Sequence, residues 1–271
     1  MASPEDDIIC NAKNKVYMRL MQAAGERQIR EAEHFDRLAE ETGEIWWGSV
    51  TPAGLKRLSR RAELVRELLS RFQDPFVLEI GCGTGALTRP LLELSPNLKL
   101  CGIDISPRTI ASIRERLAPF RRATFEVADS SGLSYPDSFF DAAVGNSVLH
   151  HVPLQETVRE MYRVLKPGGI VWFSEPNMMN PQIALEKNVR FIGEWLQNSP
   201  DETAFFRWPL RRVLQKAGFV EVDVRPFDFL HPSTPQKLVH FADRVGKTLE
   251  RIPLIKEIAG SLEIRAVKPR Q

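Results

Sequence analysis

The chain has 271 residues, of which 43% are hydrophobic and 27% are charged, and its formal net charge is +2 at pH 7. Such a chain can bury one large core and still carry appended segments. Both signs of charge are mixed along it, so its charge does not indicate nucleic acid or a membrane as a partner. It shows no leader pattern and no apolar run long enough to span a bilayer, and the sequence therefore predicts a cytoplasmic enzyme.

The three cysteines, Cys10, Cys82 and Cys101, are too few and too irregularly placed for a disulfide framework. None of them has the spacing of a metal ligand, so no metal site is predicted. Because free cysteines behave as small buried apolar residues, we expect reduced thiols inside the protein.

The first part of the chain is predicted to be helical. Apolar residues recur at intervals of three and four between positions 55 and 72, which is the pattern of a helix with one buried stripe. The opposite face carries Arg60, Arg61, Glu63 and Arg66, and we expect this face to be solvated. Residues 1–72 are predicted to form an N-terminal helical cap.

From Pro75 onwards, short β-rich runs alternate with helical runs, which predicts an α/β fold with helices on both faces of a parallel sheet. Two segments are longer than such a fold needs, so the core of residues 73–271 is predicted to carry insertions at about 177–206 and 232–260. Strands are predicted at 76–80, 98–103, 123–127, 140–145, 169–174, 219–224 and 262–267, and helices at 87–94 and 108–117.

A glycine-rich turn follows the first predicted strand in VLEIGCGTG, residues 77–85. No Lys-Ser or Lys-Thr pair follows it, which excludes a P-loop, whereas a dinucleotide fingerprint remains conceivable. Glu79, at the carboxyl end of that strand, would repel a pyrophosphate and attract a cation. A ligand with a positive charge and a ribose but no phosphate satisfies these residues, and S-adenosylmethionine is such a ligand.

Four further motifs follow the glycine turn in register. Asp104 ends the second predicted strand, where an acid can accept both hydroxyl groups of a ribose. The runs Glu126–Ser130 and Phe139–Asn146 end the third predicted strand and form the fourth, and Leu165–Gly169 leads into the fifth. With these motifs the sequence resembles the class I S-adenosylmethionine-dependent methyltransferases, and specifically those that act on small molecules.

The resemblance implies a Rossmann-like fold with a seven-stranded, mostly parallel sheet and S-adenosylmethionine as the cofactor. It implies that Asp104 holds the ribose and that Asp129 with its neighbour meets the adenine. Three alternatives remain open, because Glu79 could instead be an ordinary exposed acid, Asp104 could cap the following helix and Asp129 could form a turn. The cofactor-binding residues implied are Glu79, Gly81, Cys82, Gly83, Gly85, Asp104, Ile105, Asp129, Ser130 and Asn146.

Methyl transfer needs little covalent machinery, because the rate comes mainly from aligning the acceptor and excluding water. A general base helps when the acceptor is a phenol or an enolisable carbon. His150 and His151 follow the fourth strand and Glu175 ends the fifth, so these three are the candidates for that base. The alternatives are a structural role for the histidine pair at the entry to a helix and a solvated position for Glu175.

The acceptor is predicted to be a small, partly apolar metabolite, with oxygen as the first choice of acceptor atom and carbon as the second. Asn146 is not followed by the Pro-Pro-aromatic sequence of amine methyltransferases, and no cysteine follows Cys101 to serve as the nucleophile of a cytosine-carbon enzyme. Both differences count against nucleic acid as the acceptor. The alternatives to a methyltransferase are a nicotinamide-dependent oxidoreductase and a cofactor-binding partner subunit without catalysis.

Two regions outside the core bear on the acceptor. Phe35-Asp36 and Trp46-Trp47 weakly resemble the entry region of ubiquinone-pathway O-methyltransferases. Apolar residues also recur at helical spacing within 236–252, beside several lysines and arginines. This second region is predicted either to pack on the core as a lid or to make a peripheral membrane contact.

Overall fold

A computed structural model describes residues 26–41, 49–188 and 203–270 of the chain. Its centre is a seven-stranded sheet with the strand order β3-β2-β1-β4-β5-β7-β6. The strands are β1 (Phe76–Ile80), β2 (Lys99–Asp104), β3 (Ala123–Val127), β4 (Phe140–Asn146), β5 (Leu165–Pro176), β6 (Val220–Phe227) and β7 (Ser261–Val267).

Eight α-helices lie within the described ranges. They are α1 (Glu26–Glu41), α2 (Pro52–Leu69), α3 (Thr88–Leu94), α4 (Pro107–Arg116), α5 (Leu154–Val164), α6 (Pro181–Asn188), α7 (Arg207–Lys216) and α8 (Val239–Leu249). Short 3₁₀ turns span Gln236–Leu238 and Ile255–Ile258.

The predicted α/β fold with a mostly parallel, seven-stranded sheet is confirmed. The neighbours from β3 to β5 pair in parallel, and β7 runs antiparallel to both β5 and β6. The largest difference from the predicted strand bounds is in β5, which already begins at Leu165 and therefore contains the Lys-Pro-Gly-Gly turn. Gly168 has a φ of +79° there, and the pairing with β4 shifts register between Phe140 and Ala142.

Apolar cores cover both faces of the sheet, because successive residues of a strand point to opposite faces. Leu78 and Ile80 pack in one core and Val77 packs in the other, together with Ala62 and Val65 of α2. The prediction that the polar face of α2 is solvated is wrong for Arg61, whose side chain is only 4% exposed. Its positive charge is held inside by an ion pair with Asp228.

The strand order places a crevice at the carboxyl ends of β1 and β4. From β1 the chain goes outwards to β2 and β3, and it then crosses back to β4 on the other side of β1. Helices leave this point in opposite directions, so the loops diverge and leave space for a ligand. The glycine turn follows β1 and the two histidines follow β4, which brings both motifs to this crevice.

The second insertion packs on the core with only part of its apolar surface. Val239 and Gly246 of α8 are buried, whereas Phe241 on a neighbouring face of the helix is 68% exposed. Leu254, in the turn after α8, is 84% exposed. In the described ranges, none of the helices has the length and apolar character needed to cross a membrane.

Candidate active site

A cavity of about 710 Å³ occupies the crevice at the carboxyl ends of β1 to β4. One side is formed by the glycine turn and by the residues that end these strands. The opposite side is formed by α2, α6 and the loop after β6. The lining includes Arg57, Arg61, Glu79, Gly81, Cys82, Gly83, Asp104, Ile105, Asp129, Ser130, Asn146, His150, His151, Gln182, Asp228 and His231.

The glycine turn keeps the backbone open towards the cavity. Gly81 has a φ of +63°, and a Cβ atom built there would lie 2.3 Å from Cγ2 of Val148, so a side chain cannot be accommodated. Gly83 also has a positive φ, and its N–H donates to Oδ2 of Asp104 over 3.0 Å. Gly85 packs against Ile113 of α4 and does not line the cavity.

Glu79 is a buried carboxyl group on the cavity wall. Its side chain accepts a hydrogen bond of 2.7 Å from Oγ1 of Thr88. Burial raises the pKa of Glu79 from 4.5 to about 8, and the nearby carboxylate of Asp104 acts in the same direction. The ionised form of Glu79 therefore needs a positive charge beside it, and the cavity is where such a charge can be placed.

Asp104 is held in position by the backbone of two neighbouring turns. Oδ1 accepts the N–H of Ser106 and Oδ2 accepts that of Gly83, both at 3.0 Å. Ser106, not Asp104, supplies the side-chain cap of α4, because its hydroxyl oxygen accepts the N–H of Thr109. A carboxylate has about four lone-pair directions, so Asp104 can still accept hydroxyl groups from a ligand in the cavity.

Asp129 forms a turn, which is the alternative that its motif offered to a contact with the adenine. Its Oδ1 accepts both the N–H and the hydroxyl of Ser131 at 2.8 Å. Asp129 and Ser130 line the cavity all the same, and the Ser130 hydroxyl lies 3.0 Å from that of Thr157. The turn and a contact with a ligand are therefore compatible.

The residues on this side fit S-adenosylmethionine. Oδ1 of Asn146 is buried and has no hydrogen-bond partner within the described ranges, although Asn146 lines the cavity. A buried acceptor of this kind calls for a donor such as an ammonium group. Three carboxyl groups and an open glycine backbone complete a wall that suits a cationic nucleoside and disfavours a diphosphate.

His150 is fixed by a buried carboxylate. Its Nδ1 lies 2.6 Å from Oε2 of Glu175, and Oε1 of Glu175 accepts the N–H groups of Val148 and Leu149. Glu175 itself is 1% exposed and lies behind the cavity wall, whereas His150 lines the cavity. Glu175 therefore positions the ring of His150 and selects the tautomer with a proton on Nδ1, so that Nε2 is the basic nitrogen.

His151 is held in the same way from another element. Its Nδ1 lies 3.0 Å from Oε2 of Glu31, a buried acid of α1. The centroids of the two histidine rings are 4.1 Å apart, and both rings line the cavity. Helix α1 makes a second polar contact near the glycine turn, where Asp36 accepts the hydroxyl hydrogen bond of Ser106.

The opposite side of the cavity contains a cluster that the sequence patterns did not reveal. Arg57 and Arg61, one helical turn apart on α2, both bond to Oδ2 of Asp228 at 2.7 Å. Burial by itself raises the pKa of Asp228, but the two guanidinium groups hold that pKa well below its ordinary value. Burial lowers the pKa of Arg61 to about 10. The available signal was a lone acid inside the apolar run of residues 226–230.

Nine of the ten predicted cofactor-binding residues line the cavity, and Gly85 packs against α4 instead. Of the three predicted candidates for a base, His150 and His151 line it and Glu175 supports one of them. Trp46 and Trp47, and the part of the first insertion between residues 189 and 202, lie outside the described residues. The rest of that insertion contributes Gln182 and its neighbours on α6 to the cavity wall.

Comparison with known proteins agrees with this geometry. Residues 77–169 match a family model described as a methyltransferase domain. The 2-methyl-6-phytyl-1,4-hydroquinone methyltransferase of Synechocystis sp. is 30% identical over 166 residues, which are 59% of this chain and 51% of that protein. The demethylmenaquinone methyltransferase of Chlorobaculum parvum is 27% identical over 190 residues, which are 62% of this chain and 75% of that protein.

The alignment with the Synechocystis protein thus covers only about half the length of that relative. Among solved structures, an S-adenosylmethionine-dependent methyltransferase from Thermotoga maritima, described as a possible histamine N-methyltransferase, superposes with a TM-score of 0.63. The sequences are 20% identical, and the match covers 88% of this chain and 99% of that one. At this identity the match concerns the fold. The family match and the motifs together identify the chain as one that contains a class I, S-adenosylmethionine-dependent methyltransferase domain.

Proposed function

We propose that the protein transfers a methyl group from S-adenosylmethionine to a small, partly apolar metabolite that carries an ionisable hydroxyl group. The observation that carries the proposal is the single cavity that contains both the glycine turn with Glu79, Asp104 and Asn146 and the paired histidines. The similarity to a hydroquinone methyltransferase supports a hydroxylated ring as the acceptor, and the similarity to a demethylmenaquinone methyltransferase supports an apolar one.

The cofactor supplies a methyl group that is already activated, so the protein has to bind, orient and exclude water. Asp104 accepts the ribose hydroxyls, and Asn146 with Glu79 holds the ammonium end. From the loop after β4, Nε2 of His150 or of His151 takes the proton from the acceptor's hydroxyl group. This yields the oxygen nucleophile, which we favour, or a ring carbon activated by the oxygen next to it.

The exposed part of α8 suggests where a poorly soluble acceptor enters. Phe241, Val245 and Leu238 share one exposed face, and Lys237 and Arg244 lie beside it at helical spacing. An apolar face bordered by basic residues suits the surface of an anionic bilayer. Gly246 on the buried face packs against Phe229, which lines the cavity. We propose that this face makes a peripheral membrane contact.

The test of the proposed function is turnover. The protein is incubated with S-adenosylmethionine and a panel of hydroxylated aromatic and enolic compounds, and the release of S-adenosylhomocysteine is measured. The expected result is release that depends on the acceptor, a product heavier by one methyl group, and a loss of cofactor affinity of about tenfold or more in Asp104→Ala. Unchanged affinity in Asp104→Ala, or a cofactor that binds without any methylated product, contradicts the proposal.

A further inference from the structure

The arginine cluster opposite the glycine turn contains more positive than negative charge. Arg57 and Arg61 share one oxygen of a single carboxylate, Asp228. Arg61 also donates to the hydroxyls of Ser174 and Ser261 and to the backbone oxygen of Arg57, so its donors are used within the protein. Its burial and these bonds make Arg61 the structural member of the pair.

The neighbouring groups do not supply a second negative charge. Arg60, on the same helix, forms two hydrogen bonds of 2.6 Å with Glu250, and that pair is neutral as a whole. Burial and then the charge of Arg57 lower the pKa of His231, so His231 is uncharged at neutral pH. Glu186 and Lys187 both line this side, and their charges offset each other. The described part of this wall therefore has one positive charge in excess.

Arg57 is the member of the pair that can reach a ligand. Its side chain is 22% exposed, and it lines the cavity. Nε is bonded to Asp228 and Nη2 lies 3.5 Å from the Ser261 hydroxyl, while no hydrogen bond joins Nη1 to a residue in the described ranges. A guanidinium group with donors to spare, in a partly buried site, is a strong binding group for an anion.

We propose that Arg57 binds a carboxylate carried by the methyl acceptor. This inference rests on the proposed methyltransferase function and narrows its substrate class to hydroxylated carboxylic acids with an apolar body. One excess positive charge matches one negative charge, and the planar guanidinium matches the two oxygens of a carboxylate. The acceptor then lies between Arg57 at one side of the cavity and the histidine pair, with its carboxylate far from the acids that surround the cofactor.

The experiment measures binding instead of turnover, so that it is independent of which atom is methylated. The protein is first saturated with S-adenosylhomocysteine, and calorimetry confirms this binding before any acceptor is added. It is then titrated with 4-hydroxybenzoate, 4-hydroxycinnamate and hexanoate, and with the primary amide of each acid as a neutral counterpart of nearly the same shape. At least one acid is expected to bind about tenfold or more tightly than its amide.

Substitutions of Arg57 test whether this residue causes the preference for an acid over its amide. In Arg57→Gln the preference for the acid over its amide is expected to disappear while S-adenosylhomocysteine affinity is retained. Arg57→Lys keeps the charge without the planar group and is expected to keep part of the preference. Arg66→Gln, an exposed position on the same helix, is the control and is expected to behave as wild type.

Three outcomes overturn the inference. The first is that none of the acids binds to the S-adenosylhomocysteine complex, and the second is that the preference for acids survives in Arg57→Gln. The third is that phenyl phosphate binds more tightly than the carboxylates, which assigns the site to phosphate. Because cofactor binding is confirmed beforehand, each of these outcomes leaves the proposed methyl transfer itself intact.

Discussion

At the scale of single residues, the site is built from ionisable groups held by specific partners. Glu79 is buried beside a hydroxyl, His150 is paired with a buried carboxylate, and Asp228 lies between two arginines. The pKa of Glu79, which has no cation beside it among the described residues, is raised, whereas the pKa of Asp228, which lies between two arginines, is lowered. The cofactor side is thus ready for a positive charge.

Cofactor affinity is expected to depend on pH through Glu79. With a pKa of about 8 in the folded protein and 4.5 as the ordinary value, Glu79 favours the folded state most below pH 4.5, and this contribution is lost as the pH rises to 8. A bound cation requires the ionised form, so binding releases a proton below pH 8. Calorimetry at several pH values should show the affinity for S-adenosylmethionine rising towards pH 8. At each pH, buffers of different ionisation enthalpy measure the number of protons released on binding.

The matched variants for this prediction are Glu79→Gln and Glu93→Gln. Glu79→Gln removes the titrating group and is expected to bind the cofactor more weakly and without this proton release. Glu93, at the exposed end of α3, is half-exposed, and its substitution should leave both quantities unchanged. Identical proton release in wild type and Glu79→Gln would show that Glu79 does not face the cation.

The pair of His150 and Glu175 makes a prediction about the pH profile of turnover. Glu175→Gln keeps an oxygen for the N–H groups of Val148 and Leu149 but replaces the negative charge by a neutral amide. The amide nitrogen then faces Nδ1 of His150 and donates to it, which moves the ring proton to Nε2, so kcat is expected to fall by about a hundredfold or more across the whole pH profile. Cofactor affinity should be retained, and Glu156→Gln on the surface of α5 is the control. A profile close to that of wild type argues against His150 as the base.

At the scale of elements, two helices outside the parallel sheet act on the cavity. Helix α1 supplies Glu31 to His151 and Asp36 to the turn after β2, so it fixes one histidine and covers the cofactor side. Helix α8 supports the loop after β6 through the contact of Gly246 with Phe229, and it leaves its apolar face outside. The acceptor side is therefore built from elements that precede the sheet in sequence, such as α2, and from elements that follow its parallel strands, such as α6 and the loop after β6.

The exposed face of α8 predicts binding to lipid vesicles. Sedimentation with vesicles of phosphatidylcholine, with and without phosphatidylglycerol, is expected to show binding that is stronger with the anionic lipid and weaker at high salt. Phe241→Ser and Leu238→Ser each remove a large exposed apolar group from this face and are expected to weaken binding about tenfold. Leu94→Ser, at the end of α3, is the control. Equal binding by all variants, or no binding by wild type, is evidence against the membrane contact.

At the scale of the whole molecule, the cavity joins parts of the chain that are far apart in sequence. Residues of α1, α2, the strand ends and the loop after β6 meet around one space, so a ligand that fills it connects all of them. Binding to the folded state alone raises the free energy of unfolding in proportion to the logarithm of ligand concentration. Measuring the stability of the protein with each candidate cofactor therefore shows which of them it binds.

S-adenosylmethionine is expected to raise the melting temperature of the protein, whereas NAD is expected to leave it unchanged. At a cofactor concentration a hundredfold above Kd, the expected stabilisation is about 2.7 kcal/mol. Differential scanning fluorimetry measures both ligands under the same conditions, and adenosine is the control for binding through the nucleoside alone. A larger shift with NAD would favour an oxidoreductase and would contradict the electrostatic argument from Glu79.

The strands of the sheet, the glycine turn and the acids at the strand ends follow from local patterns in the sequence. Periodicity of two and of 3.6 residues, interrupted by glycine and proline, is a local property, and the strands β1 and β3 have the predicted bounds. Residues that end consecutive parallel strands can also be placed together from the sequence, because the carboxyl ends of such strands meet at one edge of the sheet. For this reason the sequence predicts Glu79, Asp104 and Asn146 at one edge of the sheet, and all three line the cavity.

The partners of these groups and the character of the acceptor side depend on how distant parts of the chain pack together. Arg61 and Asp228 are separated by 167 positions, and Glu31 and His151 by 120, so no local pattern connects them. A charged helix face looks the same in sequence whether it is solvated or paired across a cavity, and an apolar stripe looks the same whether it is buried or exposed. These features depend on which surfaces meet when the chain is folded, which is decided by packing between distant elements.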